Sequence, residues 1–144
     1  MQKITLTIPA KADHIILLSN SINSLLTLSQ LTTKEQQQIH LSLIEAINNI
    51  IRYAFPIPSV DAQIRLDILF DETQLSFRFN DNGNAPKNTL WQQPKQNNLN
   101  AIEDIDALPE SGWGLSIIHQ TMDEISYVRK NNQNYLHLTK NYAI

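Results

Sequence analysis

The stretch Leu41–Phe55, LSLIEAINNIIRYAF, decides the fold of this chain. Apolar side chains recur on nearly every side of the helix that it predicts, so we expect that helix to be largely buried. Four polar residues interrupt it at spacing i, i+3, i+4 and i+7, which places them on one stripe: Glu45, Asn48, Asn49 and Arg52. A buried carboxylate or amide is costly unless it is hydrogen-bonded. The stripe therefore indicates either a core helix bonded to neighbouring loops or the wall of a functional site.

The ends of this helix are marked by local signals. Thr33 followed by Gln36 predicts a capping box, which starts the helix at Lys34. Pro56 and Pro58 cannot continue a helix, so the helix ends before them.

The composition is typical of one globular domain spanning residues 1–144. Hydrophobic residues make up 42% of the chain and charged residues 17%, which argues against disorder. The absence of cysteine excludes a disulfide scaffold, thiol catalysis and cysteine-ligated zinc. A net charge of -3 disfavours direct nucleic-acid binding through a strong basic face. Met1–Ala10 carries no apolar signal segment, and no run approaches the roughly 18 apolar residues of a membrane span, so we expect a soluble cytoplasmic protein without membrane contact.

Alternation and helical spacing predict the other elements. Gln2–Ile8 alternates and indicates a strand ended by Pro9, and Asp13 is a plausible N-cap of a helix running to about Ser29. Two antiparallel hairpins follow the central helix. Their strands are Ala62–Phe70 with Leu75–Phe79, and Glu124–Lys130 with Tyr135–Lys140 across the turn Asn131–Asn134.

The chain has only three glycines, and all of them lie in turns next to predicted elements. Gly83 lies in NDNGNAP, Asn80–Pro86, directly after a strand. Gly112 and Gly114 lie in SGWGL, Ser111–Leu115, which opens a helix to about Met122. A glycine-rich turn at a helix start offers free N–H groups and suits phosphate, although an ordinary helix-entry turn fits as well. The long polar segment Lys87–Glu110 indicates either a functional lid or a surface excursion with a short helix near Ala101–Leu108.

Taken in order, these motifs resemble the GHKL ATPase superfamily with the Bergerat ATP-binding fold, and especially anti-sigma-factor serine kinases of the RsbW and SpoIIAB type. Glu45-Ala46-Ile47-Asn48-Asn49 is similar to the N box, Asp81-Asn82-Gly83 to the first glycine box, and Gly112-Trp113-Gly114-Leu115 to the second. The resemblance covers nearly the whole chain. It implies an α+β fold: a two-layer α/β sandwich whose mixed, mainly antiparallel sheet is covered on one face by helices.

The resemblance also implies a role for each matching residue. Asn49 matches the ligand of a magnesium ion that bridges the ATP phosphates. Glu45 matches the general base for an incoming serine hydroxyl. Asp81 matches the acceptor of the adenine amino group, and Gly83 lets the backbone pass close to the base. The second glycine box supplies the nucleotide-binding residues Gly112, Trp113, Gly114 and Leu115, with residues 84–110 as the lid.

Some residues depart from the family pattern. Tyr53 stands where histidine is frequent, and Ser111 stands where a further glycine is common. The family's Gly-Thr pair, whose threonine supports the adenine-binding aspartate, is replaced by Gln133-Asn134. Arg52 either contacts a phosphate or pairs with an acid on the surface.

The function implied by the resemblance is that of an ATP- and Mg2+-dependent serine-protein kinase. Its partners would be a STAS-domain anti-anti-sigma protein and a sigma factor, and family members are often homodimers. The alternative is a catalytically weak or inactive module that binds nucleotide or sequesters a partner. The catalytic domain of a histidine kinase is a third hypothesis, disfavoured because the chain shows no preceding dimerisation helix pair with a phosphoacceptor histidine.

Overall fold

The computed structural model describes residues 1–87, 90–92 and 114–142. Five strands and three α-helices are formed by these residues. The strands are β1 (Gln2–Pro9), β2 (Gln63–Phe70), β3 (Gln74–Asp81), β4 (Glu124–Lys130) and β5 (Gln133–Asn141). The helices are α1 (Ile15–Leu26), α2 (Thr33–Ala54) and α3 (Gly114–Thr121), and a short 3-10 turn, Ala12–His14, precedes α1.

The strands form one sheet in the order β1-β2-β3-β5-β4. Both predicted hairpins are confirmed, as is the α+β class with its layer of helices on one face of the sheet. All four pairings among the described strands are antiparallel, so the expectation of a mixed sheet is wrong for this part of the chain. The turn of the second hairpin is shorter than predicted: only Asn131 and Asn132 form it, with φ of 53° and 60°. These positive φ values suit a two-residue hairpin loop, and asparagine tolerates them.

Side chains alternate across the sheet, and the inward ones pack against the helices. Leu66, Phe79 and Leu136 form one such row across β2, β3 and β5, and each is at most 3% exposed. Ile47 and Leu43 of α2 are fully buried in the same core. This core fixes the position of α2 over the sheet, and therefore the direction in which the polar stripe faces.

The N-terminus of α2 is capped one residue earlier than predicted. Thr32 accepts a hydrogen bond from the Glu35 N–H through Oγ1, and Glu35 Oε1 accepts one from the Thr32 N–H, both at 3.2 Å. The sequence TTKEQ fits a capping box twice, and the prediction of Thr33 with Gln36 chose the wrong one. A carboxylate in the first turn also interacts favourably with the helix dipole, which a neutral glutamine does not.

The predicted N-cap of α1, Asp13, is also wrong. Asp13 lies inside the 3-10 turn, and α1 begins after His14 without a side-chain cap. A capping residue needs extended backbone, and in this segment Lys11 has it, with φ -128° and ψ 142°. Lysine has no side-chain acceptor, so this helix end is uncapped. The helix ends at Leu26, before the predicted Ser29.

No helix in residues 1–87, 90–92 and 114–142 is long and apolar enough to cross a membrane.

Candidate functional site

Asn49 of the polar stripe lies at the end of the sheet where β3 and β5 pair. Asn49 and Tyr53 of α2, Asp81 of β3 and Asn134 of β5 line one pocket there. The structure therefore brings together two residues that the sequence analysis assigned to a nucleotide site, Asn49 and Asp81. They belong to elements that are far apart in the chain, and the packing of α2 on the sheet is what joins them.

Asp81 is the last residue of β3 and is only 4% exposed. Its Oδ1 accepts hydrogen bonds from the Gly83 N–H at 2.9 Å and from Asn134 Nδ2 at 2.8 Å. Its Oδ2 accepts none from the residues that the structure describes. Burial raises the pKa of Asp81, against the opposing effects of these two hydrogen bonds and of the Arg129 charge. The described residues therefore hold this carboxylate through one oxygen, Oδ1.

Gly83 lies where the chain passes the C-terminal end of α2. A Cβ built on it would lie 2.5 Å from the carbonyl oxygen of Ala54 and 2.7 Å from the Ala54 Cβ. The next N–H, that of Asn84, donates to the same carbonyl at 2.8 Å. A side chain at position 83 would therefore push the turn away from α2, which explains the need for glycine.

Asn134 was not assigned to the site from the sequence, where it appeared only as a departure from a Gly-Thr pair. It is 4% exposed, and it pairs directly with Asp81 in the register of β3 and β5. Its Nδ2 donates to Asp81 Oδ1 and, also at 2.8 Å, to the carbonyl oxygen of Asn84. The asparagine thus makes the supporting contact with Asp81 that the resemblance attributes to a threonine. The signal that pointed to it was its place in the motif, since a cross-strand register is not visible in the sequence.

Glu45 is half-buried on α2, one turn before Asn49. A Cβ built on Gly114, the first residue of α3, would lie 2.5 Å from Glu45 Oε2. The glycine therefore makes room for the carboxylate at the N-terminus of α3. Burial raises the pKa of Glu45, with the positive charge of Arg52 acting in the opposite direction. A raised pKa brings a carboxylate closer to neutral pH, where a general base is most effective.

Asn49 is half-buried and lines the pocket. Within the described ranges, no three His, Asp or Glu side chains cluster as a metal site. A metal ion here would take few ligands from the protein and the rest from phosphate oxygens and water, which is the usual environment of Mg2+ with nucleotides. The chemistry of Asn49 therefore fits a magnesium ion that arrives with its nucleotide.

Trp91 lines the pocket from the segment between β3 and α3. Its side chain is 9% exposed, and with Leu90 and Pro86 it lines a space of only about 10 Å³. Its carbonyl oxygen accepts a hydrogen bond from His119 Nε2 of α3 at 2.9 Å. A volume of this size holds about one water molecule, whereas ligand sites measure roughly 300–1,000 Å³. The pocket is therefore smaller in this structure than a nucleotide base requires.

The remaining predicted site residues have mixed outcomes. Leu115 is half-buried against the core, whereas Gly112, Trp113, Ser111 and most of the lid at residues 84–110 lie outside the described residues. Arg52 is exposed, and its guanidinium lies 5.9 Å from the centre of the Tyr53 ring. No ion pair joins it to an acid in the part of the chain that the structure describes.

Comparison with known families decides the classification of the chain. The model of the histidine kinase-like ATPase domain matches residues 8–140. The chain belongs to this family. The matched range includes α1, α2, α3 and strands β2, β3 and β4 in full, the last two residues of β1 and all of β5 except its last residue, together with the residues that line the pocket.

Several relatives of this ATPase domain are named as serine-protein kinases. RsbW of Listeria monocytogenes is 27% identical over 123 residues, which are 85% of this chain and 77% of the relative. RsbW of Bacillus mycoides is 23% identical over 142 residues, covering 94% and 82% of the two chains. The serine/threonine-protein kinase BtrW of Bordetella bronchiseptica is 31% identical over 99 residues, covering 69% and 66%.

Solved structures show the same fold at low sequence identity. The RsbU and RsbW domains of Rv1364c from Mycobacterium tuberculosis match with a TM-score of 0.64 and 11% identity, covering 96% of this chain and 32% of that one. The histidine kinase domain from Erythrobacter litoralis EL346 matches with a TM-score of 0.55 and 17% identity, covering 92% and 60%. At these identities the matches concern the fold of the ATPase domain alone.

Proposed function

We propose that this protein is an ATP-dependent serine-protein kinase that phosphorylates a STAS-domain anti-anti-sigma protein and acts as an anti-sigma factor. The observation that carries the proposal is the seating of Glu45 against Gly114. It places a carboxylate of raised pKa at the N-terminus of α3, which is a favourable position for a phosphate group. The names of the relatives support the kinase class. In this proposal residues 1–144 form one domain, the protein works in the cytoplasm, and it can pair with a second copy.

The proposal gives each site residue a role. The free oxygen of Asp81 would accept a hydrogen bond from the amino group of adenine, and Gly83 would let the backbone lie against the base. Asn49 would hold Mg2+, which neutralises charge on the phosphates when it is bound. Gly112, Trp113, Gly114 and Leu115 would enclose the phosphate side.

Glu45 would take the proton from the substrate serine as its oxygen forms a bond to the terminal phosphorus of ATP and the bond to the ADP oxygen breaks. The carboxylate must be ionised to accept this proton. The rate of transfer is therefore expected to rise with pH through the pKa of Glu45 and to level off above it.

The test is phosphoryl transfer from labelled ATP to a purified STAS protein. Glu45→Gln keeps the size of the side chain but cannot accept the proton, so we expect a loss of about 100-fold or more in rate while ATP binding is retained. Glu72→Gln makes the same chemical change at an exposed residue between β2 and β3, and it should transfer at the wild-type rate. Equal transfer by Glu45→Gln would exclude Glu45 as the base.

A second candidate is a module that sequesters a partner without catalysis. The observation that favours it is the small volume of the pocket, about 10 Å³, which Trp91 helps to line. Such a module would bind its partner equally well with and without ATP, and Asp81→Ala would not weaken that binding. Dependence of partner binding on ATP, or its loss in Asp81→Ala, would reject this candidate.

A further inference from the structure

The side-chain amide of Asn134 has all of its hydrogen-bonding groups in use. Its Nδ2 donates to Asp81 Oδ1 and to the carbonyl oxygen of Asn84. Its Oδ1 accepts from the Tyr127 hydroxyl at 2.6 Å and from Arg129 Nη1 at 2.9 Å. Two acceptors therefore face the nitrogen of the amide, and two donors face its oxygen.

Only one orientation of this amide fits its surroundings. After a half-turn, the oxygen of Asn134 would face the Asp81 carboxylate, and the nitrogen would face Tyr127 and Arg129. The Tyr127 hydroxyl can rotate and accept a hydrogen bond instead of donating one. A guanidinium has five donors and no acceptor, so Arg129 cannot adapt in this way. Arg129 is thus the neighbour on the oxygen side that excludes the wrong orientation.

Arg129 also holds the turn that follows Asp81. The same Nη1 atom donates to the carbonyl oxygen of Gly83 at 3.0 Å. In the sheet, Arg129 of β4 pairs with Asn134 of β5, and Asn134 pairs with Asp81 of β3. One side chain from the edge strand therefore connects the last hairpin with the turn of the first glycine box.

We propose that Arg129 is a positioning residue for the nucleotide base: it orients Asn134 so that Asp81 Oδ1 is occupied and Oδ2 stays available to the amino group of a 6-aminopurine. This inference rests on the proposed function, in which Asp81 binds adenine. Arg129 would then contribute to the preference for ATP over GTP, because guanine has a carbonyl oxygen at the position where adenine has the amino group.

The charge of Arg129 has a second consequence, which does not depend on a ligand. Among the described residues, the titratable or charged groups near Asp81 are Arg129 and Tyr127 from β4 and Tyr53 from α2, whereas its sheet partners Ile64 and Asn134 carry no charge. The positive charge of Arg129 lowers the pKa of Asp81, against the larger effect of burial. Removal of that charge should therefore raise the pKa of Asp81 further.

The experiment compares four variants of the full chain. Arg129→Gln removes the charge and places an amide, which has its own acceptor, beside Asn134. Arg129→Lys keeps the positive charge and the hydrogen-bond donors, and lysine, like arginine, offers no acceptor. Tyr127→Phe removes the adaptable partner. Lys130→Gln is the matched control, because it removes a positive charge from the next residue of β4, whose side chain lies on the opposite face of the sheet.

Two measurements are made on each variant: the affinities for ATP and GTP by calorimetry, and the carboxyl titration of Asp81 by NMR in the nucleotide-free protein. In Arg129→Gln we expect about tenfold weaker ATP binding, a smaller preference for ATP over GTP, and a titration of Asp81 at higher pH. Arg129→Lys should restore the titration, and Tyr127→Phe should weaken ATP binding by less than about threefold. Lys130→Gln should behave as the wild type.

Wild-type ATP affinity and an unchanged Asp81 titration in Arg129→Gln would overturn the inference. The NMR measurement separates this failure from that of the proposed function. If the wild type binds no ATP but Asp81 titrates at higher pH in Arg129→Gln, the nucleotide function is rejected and the action of Arg129 on Asp81 is supported.

Discussion

Substitution of Gly114 by alanine tests the placement of Glu45 directly. The added Cβ would lie 2.5 Å from Glu45 Oε2 and 3.2 Å from its Cδ. Comfortable contacts between non-bonded heavy atoms are about 3.5 Å, so the carboxylate has to move by about 1 Å. Misplacement of a catalytic group by this distance costs about 100-fold in rate. We therefore expect Gly114→Ala to lower single-turnover phosphoryl transfer by about two orders of magnitude.

The free energy of unfolding should change little, because the clash is with the end of a flexible side chain. Gly83→Ala is the matched variant with the opposite outcome. Its Cβ would meet the backbone of Ala54, which cannot move away, so we expect a loss of about 1–3 kcal/mol in the free energy of unfolding. Transfer at the wild-type rate by Gly114→Ala would refute the assignment of Glu45 as the base or its placement against α3.

Three further predictions follow from the structure. Thr32→Ala removes the capping hydrogen bond of α2 and should cost about 1 kcal/mol in the free energy of unfolding by urea, whereas the neighbouring Thr33→Ala should cost less than about 0.5 kcal/mol; equal losses would contradict the observed cap. Asp81→Asn keeps a side-chain oxygen that can accept hydrogen bonds from Gly83 and Asn134. It removes a buried carboxyl group whose pKa is raised by burial. The wild type should therefore lose stability relative to the variant as pH rises from the ordinary aspartate pKa of 3.8 through the folded-state pKa, which urea titrations between pH 3 and 7 would measure. The variant should also lose ATP binding, which calorimetry at neutral pH would measure. Trp91→Ala should strengthen ATP binding in calorimetry, because loss of the indole enlarges the small pocket that Trp91 helps to line. Weaker binding would show that Trp91 instead contacts the ligand.

The elements of the fold were predictable because their signals are local. The apolar positions of α2 and the alternation of Ile64, Leu66 and Ile68 predict which side chains are buried, and these side chains lie in the core of the structure. The caps were less predictable, since TTKEQ allows two overlapping boxes and only the three-dimensional course of the chain selects Thr32.

Only the site residues that belong to sequence motifs were predictable. Asp81 and Asn49 were assigned from their motifs, and the packing of α2 on the sheet shows that they share a pocket. The roles of Asn134 and Arg129 depend on the register of β3, β5 and β4, which no local pattern reveals. The position of Trp91 at the pocket depends on tertiary packing in the same way.

The most direct test of the account is calorimetric titration of ATP into the purified protein, with and without magnesium, for the wild type and for Asn49→Ala. We expect magnesium-dependent binding that weakens in the variant, since Asn49 is the residue that we propose to hold the ion. The absence of binding at millimolar ATP would contradict the nucleotide site itself.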